Sequence, residues 1–172
     1  MEQNSSAKKL MKLNVLIAPA DADRLRSLRL RALQDAPYAF GGDYEIESQR
    51  PINYWENYLR ISTWCLVETG GKDIGLLEVS KAADDRSADC WLSSWWIDQD
   101  FRGQGVSKLM VDWLDQLCVE RGWRRQGLGV WPENQVAISA YLKLGFSKAP
   151  NELPSRSRPD KMYLPMYRNL PL

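Results

Sequence analysis

Histidine is absent from this sequence of 172 residues, and its absence removes two large classes of functional site. Histidine is the side chain most often used as a general base near neutral pH and the most common metal ligand. A Ser-His-Asp triad and a histidine-based zinc site are therefore excluded. Any general base in this protein must be a carboxylate or a chain of water molecules.

Cysteine, excess charge and long apolar runs are also scarce. Cys65, Cys90 and Cys118 are odd in number and widely spaced, which indicates reduced core thiols rather than a disulfide framework or a metal cluster. The formal net charge is only +1, so we expect no binding to nucleic acid or to an anionic membrane. The polar N-terminus and the lack of any run near about 18 apolar residues predict a cytoplasmic protein without a signal peptide or a membrane span.

The hydrophobic content of 44% is sufficient for one well-filled core, so we expect a single domain at 12–172 after a disordered N-terminal tail at 1–11. Hydrophobic periodicity predicts strands at 12–17, 63–68, 74–80, 89–97, 127–131, 146–149 and 162–167. Helices are expected after an N-cap at Asp21, from Pro51, at 106–121 and at 135–144. This order predicts a mixed α/β fold, with antiparallel strands before the helix at 106–121 and a parallel crossover around it.

Three further features concern the first predicted helix, a proline within a predicted strand, and a polar loop near the C-terminus. The first predicted helix carries arginines that are typical of a solvated face: Arg24, Arg26, Arg29 and Arg31. Pro165 falls inside a predicted strand, where it is expected at an edge or a bulge. The polar loop at 151–160 either caps a binding site or extends into solvent.

A glycine-rich segment joins the predicted strand at 89–97 to the helix at 106–121, and its residues are Arg102, Gly103, Gln104, Gly105, Val106 and Ser107. The first turn of a helix has backbone N–H groups without intrahelical partners and the positive end of the helix dipole, so such a start can bind phosphate. A simple connecting turn is the alternative. No Walker loop is present, and Lys108 stands where a dinucleotide-binding fingerprint requires its third glycine.

A second motif follows the next predicted strand, and its residues are Asn134, Ala137, Tyr141, Lys143, Gly145 and Phe146. Together the two motifs, with their separation, resemble the GNAT superfamily of N-acetyltransferases over roughly residues 12–167. Ser107 replaces the usual glycine or alanine of the first motif. The resemblance implies an acyl-CoA N-acyltransferase fold, in which a central, mostly antiparallel sheet contains one parallel, splayed pair of strands and is flanked by helices.

The resemblance further implies acetyl-CoA as co-substrate, without a metal. Its pyrophosphate is expected on the backbone of residues 102–107, and its pantetheine chain on the backbone of Trp95 and Ile97 and on Asn134. Lys143 is expected as a further residue that binds the co-substrate. Tyr141 is expected to protonate the leaving thiolate as a general acid. The structural alternatives are a helix N-cap for Asn134 and a buried aromatic residue for Tyr141.

The acceptor side is less defined by the sequence. The general base is open between Glu78 and Asp89, on strands next to the splayed one, where a carboxyl with a pKa raised by burial could serve; Glu45, Glu47 and Glu133 lie in flanking segments. Strand alternation predicts one shared face for Trp91, Ser93, Trp95 and Ile97. By the resemblance, the acceptor pocket is expected to include Tyr38, Phe40 and Trp55.

We therefore predict an acetyl-CoA-dependent N-acetyltransferase that uses direct transfer in a ternary complex. The expected acceptor is a small amine or an amino-acid-like molecule, and the protein is expected to be a monomer or a homodimer. A peptide or protein acetyltransferase acting on an N-terminus or on lysine is one alternative. A regulatory domain that binds CoA without catalysis is the other.

Overall fold

The computed structural model describes residues 10–170 of the chain. Residues 1–9 and 171–172 lie outside the described residues, and they include most of the predicted tail at 1–11 and the end of the predicted domain at 12–172. Leu10 is exposed, and the first strand begins at Met11.

Five α-helices and eight β-strands are present within residues 10–170. The helices are α1 (Ala22–Asp35), α2 (Tyr44–Ser48), α3 (Ile52–Ile61), α4 (Val106–Arg121) and α5 (Gln135–Lys143). The strands are β1 (Met11–Val15), β2 (Thr63–Thr69), β3 (Lys72–Lys81), β4 (Cys90–Ile97), β5 (Arg125–Val130), β6 (Ser147–Lys148), β7 (Leu153–Pro154) and β8 (Met162–Asn169). No helix within this part of the chain is long and apolar enough to span a membrane.

The strands form a mixed sheet in the order β1-β2-β3-β4-β5-β8-β6, and the short strand β7 also pairs with β8. Strands β4 and β5 are parallel, whereas the other pairs described are antiparallel. The predicted fold class, a mostly antiparallel sheet with one parallel pair and flanking helices, is therefore confirmed.

The parallel pair separates part of the way along its length. Strands β4 and β5 pair only at residues 90–92 against 126–128, although both strands continue. The pairing of β4 with β3 jumps from Ser93 opposite Glu78 to Trp96 opposite Leu76, so two residues of β4 face one residue of β3. Ser94, within this bulge, has a φ of 52°. A bulge bends the strand that contains it, so β4 diverges from β5 and a gap opens in the sheet.

The same bulge makes one prediction from strand alternation wrong. Trp95 and Ile97 pack on the side of the sheet where Cys90 and Leu92 are buried, rather than sharing a face with Trp91. Trp96 packs on the opposite side. The extra residue shifts the alternation by one position, because side chains of a regular strand point to alternate faces.

A hydrophobic layer covers each face of the sheet. One layer is built on α4 and α5 and includes Val106, Met110, Leu114, Ile138 and Phe146. The other is built on α1 and α3 and includes Leu25, Leu28, Ala32, Trp55 and Leu59. Burial of an aliphatic or aromatic side chain contributes about 1.5–3 kcal/mol, so each layer fixes its helices against the sheet. The gap between β4 and β5 lies between these two layers.

Pro165 occupies an interior strand, because β8 pairs with β5 on one side and with β6 and β7 on the other. The expectation of an edge or a bulge is therefore wrong. The carbonyl of Pro165 accepts a hydrogen bond from the N–H of Ala149, just beyond β6. The N–H that proline lacks would point to this same side, where the short strands β6 and β7 leave an interruption, so the ladder with β5 remains intact.

Candidate active site

The start of α4 forms a cradle of free backbone donors. Gly103 and Gly105 have φ values of 72° and 92°, and α4 begins at Val106. An added Cβ at either glycine would meet no heavy atom within 4 Å. Among the described residues, the N–H groups of residues 103–108 make no hydrogen bond of good geometry. Left-handed glycines, free N–H groups and open space fit an anionic group such as a pyrophosphate.

The side chains of this segment hold the loop itself. Arg102 donates through Nε to the carbonyl of Ile97 (3.0 Å) and through Nη2 to Oδ2 of Asp35 (2.9 Å). The indole N–H of Trp96 donates to the same carboxylate oxygen at 2.8 Å. Gln104 donates to the carbonyl of Asp100 at 2.7 Å. Because these side chains are engaged, the backbone of the segment is the part left free for an anion.

Tyr141 lies on the same side of the sheet as α4. Its ring centroid is 5.4 Å from that of Trp95 and 6.1 Å from that of Phe146. Burial raises the pKa of the Tyr141 hydroxyl to about 12, so the group is protonated at neutral pH. No hydrogen bond involves this hydroxyl within residues 10–170, and it is therefore free to donate to a ligand.

Asn134 and Lys143, the other two predicted cofactor-binding residues near α5, lie at the two ends of this helix. Asn134 is the N-cap of α5, and its Oδ1 accepts from the N–H of Ala137 at 3.2 Å. The structural alternative for Asn134 is thus realised, while its amide nitrogen has no partner among the described residues. Lys143, in the last turn of α5, is exposed and makes no ion pair in the part of the chain described here.

A cavity of about 390 Å³ lies on the α1 and α3 side of the sheet, beside the gap between β4 and β5. This volume is in the range of small-molecule sites. Its walls are largely aromatic and include Phe40, Trp55, Tyr58, Trp64, Trp91, Trp131 and Tyr163. Tyr38, predicted for this pocket, is 64% exposed and does not line the cavity, although Phe40 and Gly41, just after it in the chain, do.

Two loops meet over the cavity. Gly41, between α1 and α2, packs so closely against Ser157 that an added Cβ would collide with the hydroxyl oxygen. Arg158 donates through Nε to the carbonyl of Gly41 at 3.2 Å. Ser155, Arg156 and Ser157 line the cavity, so the loop at 151–160 caps the cavity rather than extending into solvent.

Only one of the two candidate bases faces this cavity. Glu78 lines the cavity from β3, and Ser94 donates to its Oε2 at 3.5 Å. Burial raises the pKa of Glu78, and this effect outweighs the opposing hydrogen bonds from Ser62 and Ser94 and the positive charge of Arg29. A carboxyl with a raised pKa beside a cavity is suited to accept a proton.

Asp89 has a different setting. Its carboxylate accepts the backbone N–H groups of Arg124 (2.7 Å) and Arg125 (2.8 Å), and these hydrogen bonds lower its pKa. The residue is exposed and does not line the cavity. Asp89 therefore holds the start of β5 in place, and the expectation that it could act as the base is not supported.

Arg29 was missed by the sequence reasoning, which assigned it to a solvated helix face. It is only 8% exposed and lines the cavity. Its guanidinium forms a bidentate ion pair with the carboxylate of Glu47, with N–O distances of 3.0 Å and 2.9 Å. Its Nη1 is buried without a hydrogen-bond partner among the described residues. A sequence signal was present, because Arg29 stands four residues after Leu25 and therefore on the apolar stripe of α1.

Arg86 was also missed, and no sequence pattern marks it. It precedes β4, and its guanidinium carbon lies 4.0 Å from the ring centroid of Trp91 and 6.0 Å from that of Tyr163. Arg86 lines the cavity beside these two rings. A guanidinium over an aromatic face is stabilised by the negative potential of the ring.

Comparison with known proteins gives consistent matches. The family model of the acetyltransferase (GNAT) family matches residues 26–146. The uncharacterized N-acetyltransferase YdgE of Bacillus subtilis (strain 168) is 26% identical over 84 residues, which are 49% of this chain and 54% of YdgE. The chain thus matches about half the length of this curated relative.

Two solved structures illustrate the likeness in fold. A GNAT-family acetyltransferase from Streptococcus pneumoniae superposes with a TM-score of 0.69 at 22% identity, over 93% of this chain and 100% of that one. The spermidine N-acetyltransferase from Vibrio cholerae, solved in complex with CoA and spermine, has a TM-score of 0.68 at 15% identity, over 93% and 95% of the two chains. At these identities the structures establish a shared fold.

Proposed function

The chain belongs to the acetyltransferase (GNAT) family, and from that premise we propose that it is an N-acetyltransferase that acetylates the primary amine of a small molecule held in the cavity. One observation carries this proposal. The cavity with the partly buried carboxyl of Glu78 lies on one side of the gap between β4 and β5, and the α4 cradle and Tyr141 lie on the other. An acyl donor and an acceptor approaching from opposite faces would meet at this gap.

The donor is acetyl-CoA, which supplies an acetyl group activated as a thioester. The free N–H groups that follow Arg102, through the first turn of α4, would hold its pyrophosphate. The backbone of Trp95 and Ile97, on the splayed part of β4, would hold the pantetheine chain by edge pairing. The free amide nitrogen of Asn134 and the exposed Lys143 are the further contacts that we assign to the donor.

The residues that move protons lie on opposite sides of the gap. Glu78 removes a proton from the acceptor ammonium, and the neutral amine forms the new C–N bond with the acetyl carbon. A strand N–H stabilises the oxyanion of the intermediate. The C–S bond then breaks, and Tyr141 donates its hydroxyl proton to the sulfur. The second proton that the nitrogen loses as the amide forms restores the Tyr141 hydroxyl, and Glu78 releases its proton to solvent. A partly buried carboxyl with a raised pKa and a phenol that remains protonated have the properties that these two roles require.

A small acceptor is favoured over a peptide. The contacts of Gly41 with Ser157 and Arg158 bring two loops together over the cavity. A peptide or protein substrate needs an open groove along which its chain can continue, whereas a compact molecule can be enclosed. The presence of both Glu78 and Tyr141 also favours an enzyme over a regulatory domain that only binds CoA.

A thiol-release assay tests this function. Purified protein is incubated with acetyl-CoA and a panel of primary amines, and free CoA is followed together with the acetylated product by mass spectrometry. We expect release that depends on the amine and is saturable in it. Tight binding of CoA without acetylation of any small amine, or acetylation of peptides alone, would contradict the proposal. The double variant Glu78→Gln with Tyr141→Phe is the control for release without enzyme chemistry.

A further inference from the structure

One arginine of the cavity wall makes no ion pair within the described part of the chain. Three arginines line the cavity. Arg29 is paired with Glu47, and Arg156 is paired with Asp85 at 2.6 Å. Arg86 is half-buried, and its side-chain nitrogens make no hydrogen bond or ion pair within residues 10–170. The neighbouring Asp85 attracts Arg86 only at longer range and is itself paired with Arg156. A guanidinium that is partly removed from water and has no ion pair of its own favours an anionic ligand.

The two ends of the cavity therefore differ in charge. At one end, Glu78 lies near the neutral pair of Arg29 and Glu47, and this end suits an ammonium group. At the other end, Arg86 lies over the ring of Trp91. The aromatic side chains between these ends offer apolar surface for the body of a ligand.

The strand register gives the spacing between these ends. Glu78 is paired with Ser93, and Trp91 is two residues from Ser93 along β4. Two residues of a strand span about 7 Å, and neighbouring strands are about 4.8 Å apart. The backbone positions of Glu78 and Trp91 are thus separated by roughly 8 Å.

We propose that the acceptor is an amino acid in the broad sense, with its amine at Glu78 and a carboxylate at Arg86, the two groups being separated by an extended apolar body. This proposal rests on the proposed function. The planar fork of Arg86 can bind both oxygens of a carboxylate. This spacing favours a ligand whose amine and carboxylate are farther apart than those of a simple α-amino acid. An ω-amino acid such as 6-aminohexanoate has a comparable length.

A matched pair of substrates tests the proposal. The rates of acetylation of 6-aminohexanoate and of its uncharged isostere 6-aminohexanamide are compared as kcat/KM with the full-length protein. A hydrogen-bonded charge pair changes kcat/KM by about 10–100-fold, so we expect a preference of that size for the acid. Arg86→Gln should abolish the preference by lowering the rate with the acid and leaving the rate with the amide. Arg156→Gln, which changes a cavity arginine that already has a partner, should keep the preference.

The possible results separate this proposal from the proposed function. Equal rates for acid and amide in the wild type, or an unchanged preference in Arg86→Gln, would overturn the carboxylate site while N-acetylation stands. Acetylation of neither compound, with turnover of simple alkylamines, would also overturn it. Inactivity toward all these amines would overturn the proposed function itself. Arg86→Lys, which keeps the charge, should retain part of the preference and so guards against a loss caused by misfolding of Arg86→Gln.

Discussion

Gly105 and Gly122 stand at the two ends of α4 and provide a matched test of the phosphate cradle. Both are left-handed, with φ values of 92° and 69°, and an added Cβ at either position would meet no heavy atom within 4 Å. Alanine at either position therefore causes no collision, and its cost is confined to the backbone conformation. Left-handed backbone costs an L-residue about 1–2 kcal/mol, so we expect both variants to lose a similar free energy of unfolding. Chemical denaturation measures this loss.

The two variants should differ in their affinity for CoA. In Gly105→Ala, the backbone relaxes away from the left-handed region, and the N–H groups at the start of α4 no longer point together. We expect the Kd for CoA, measured by isothermal titration calorimetry, to rise at least about tenfold, or about 1.4 kcal/mol. Gly122→Ala changes the far end of the same helix and should bind CoA as the wild type does. Equal Kd values for the two variants would refute the location of the pyrophosphate at the start of α4.

The remaining predictions concern the proton-transfer residues and the cavity wall. Tyr141→Phe should lower kcat by about 10²–10⁴-fold with little change in KM for acetyl-CoA or in Tm, because the ring contacts remain. Tyr38→Phe is the control. A loss of CoA affinity as large as the loss of kcat would contradict the acid role of Tyr141. Glu78→Gln should lower kcat/KM by about 10²–10⁴-fold. Because burial raises the pKa of Glu78, its contribution to stability is present at low pH and is lost as pH rises through the folded pKa. Glu78→Gln should thus be at least as stable as wild type at pH 7, with the difference shrinking toward pH 4, and a clear loss of Tm at pH 7 would count against this account. Gly129→Ala would place a methyl group 2.7 Å from the Tyr163 ring in the cavity wall. We expect chemical denaturation to show a loss of about 1–3 kcal/mol in the free energy of unfolding. Steady-state kinetics should show a higher KM for the amine and an unchanged KM for acetyl-CoA.

The features that the sequence predicts well are local ones. The start of α4 was predictable because the glycines that permit its geometry lie within four residues of the helix they precede. Its end was predictable because Gly122 supplies a left-handed cap. The N-cap at Asn134 follows from the side chain alone, since asparagine accepts from the third N–H of the helix it begins. These elements position the donor side of the candidate site.

The acceptor side depends on contacts between distant segments. The two loops that meet over the cavity join Gly41 to Ser157 and Arg158, more than a hundred residues apart, and no local pattern encodes such a contact. The bulge at Ser94 carries no glycine that would mark its left-handed backbone. The choice between Glu78 and Asp89 depends on burial and on backbone partners from other strands, which only the folded chain supplies.

The carboxylate of Asp35 connects α1 to the loop before α4, and so links the two proposed substrate sites. Asp35 ends α1, the helix whose Arg29 forms part of the cavity wall, and the two residues are about 9 Å apart along the helix axis. The same carboxylate accepts from Trp96 and from Arg102 in the loop before α4. A displacement of α1 by an acceptor in the cavity would therefore be transmitted to the loop that precedes the phosphate cradle. Any resulting change in CoA affinity would be matched by an equal effect of CoA on acceptor affinity, so the contacts of Asp35 would couple the two proposed sites.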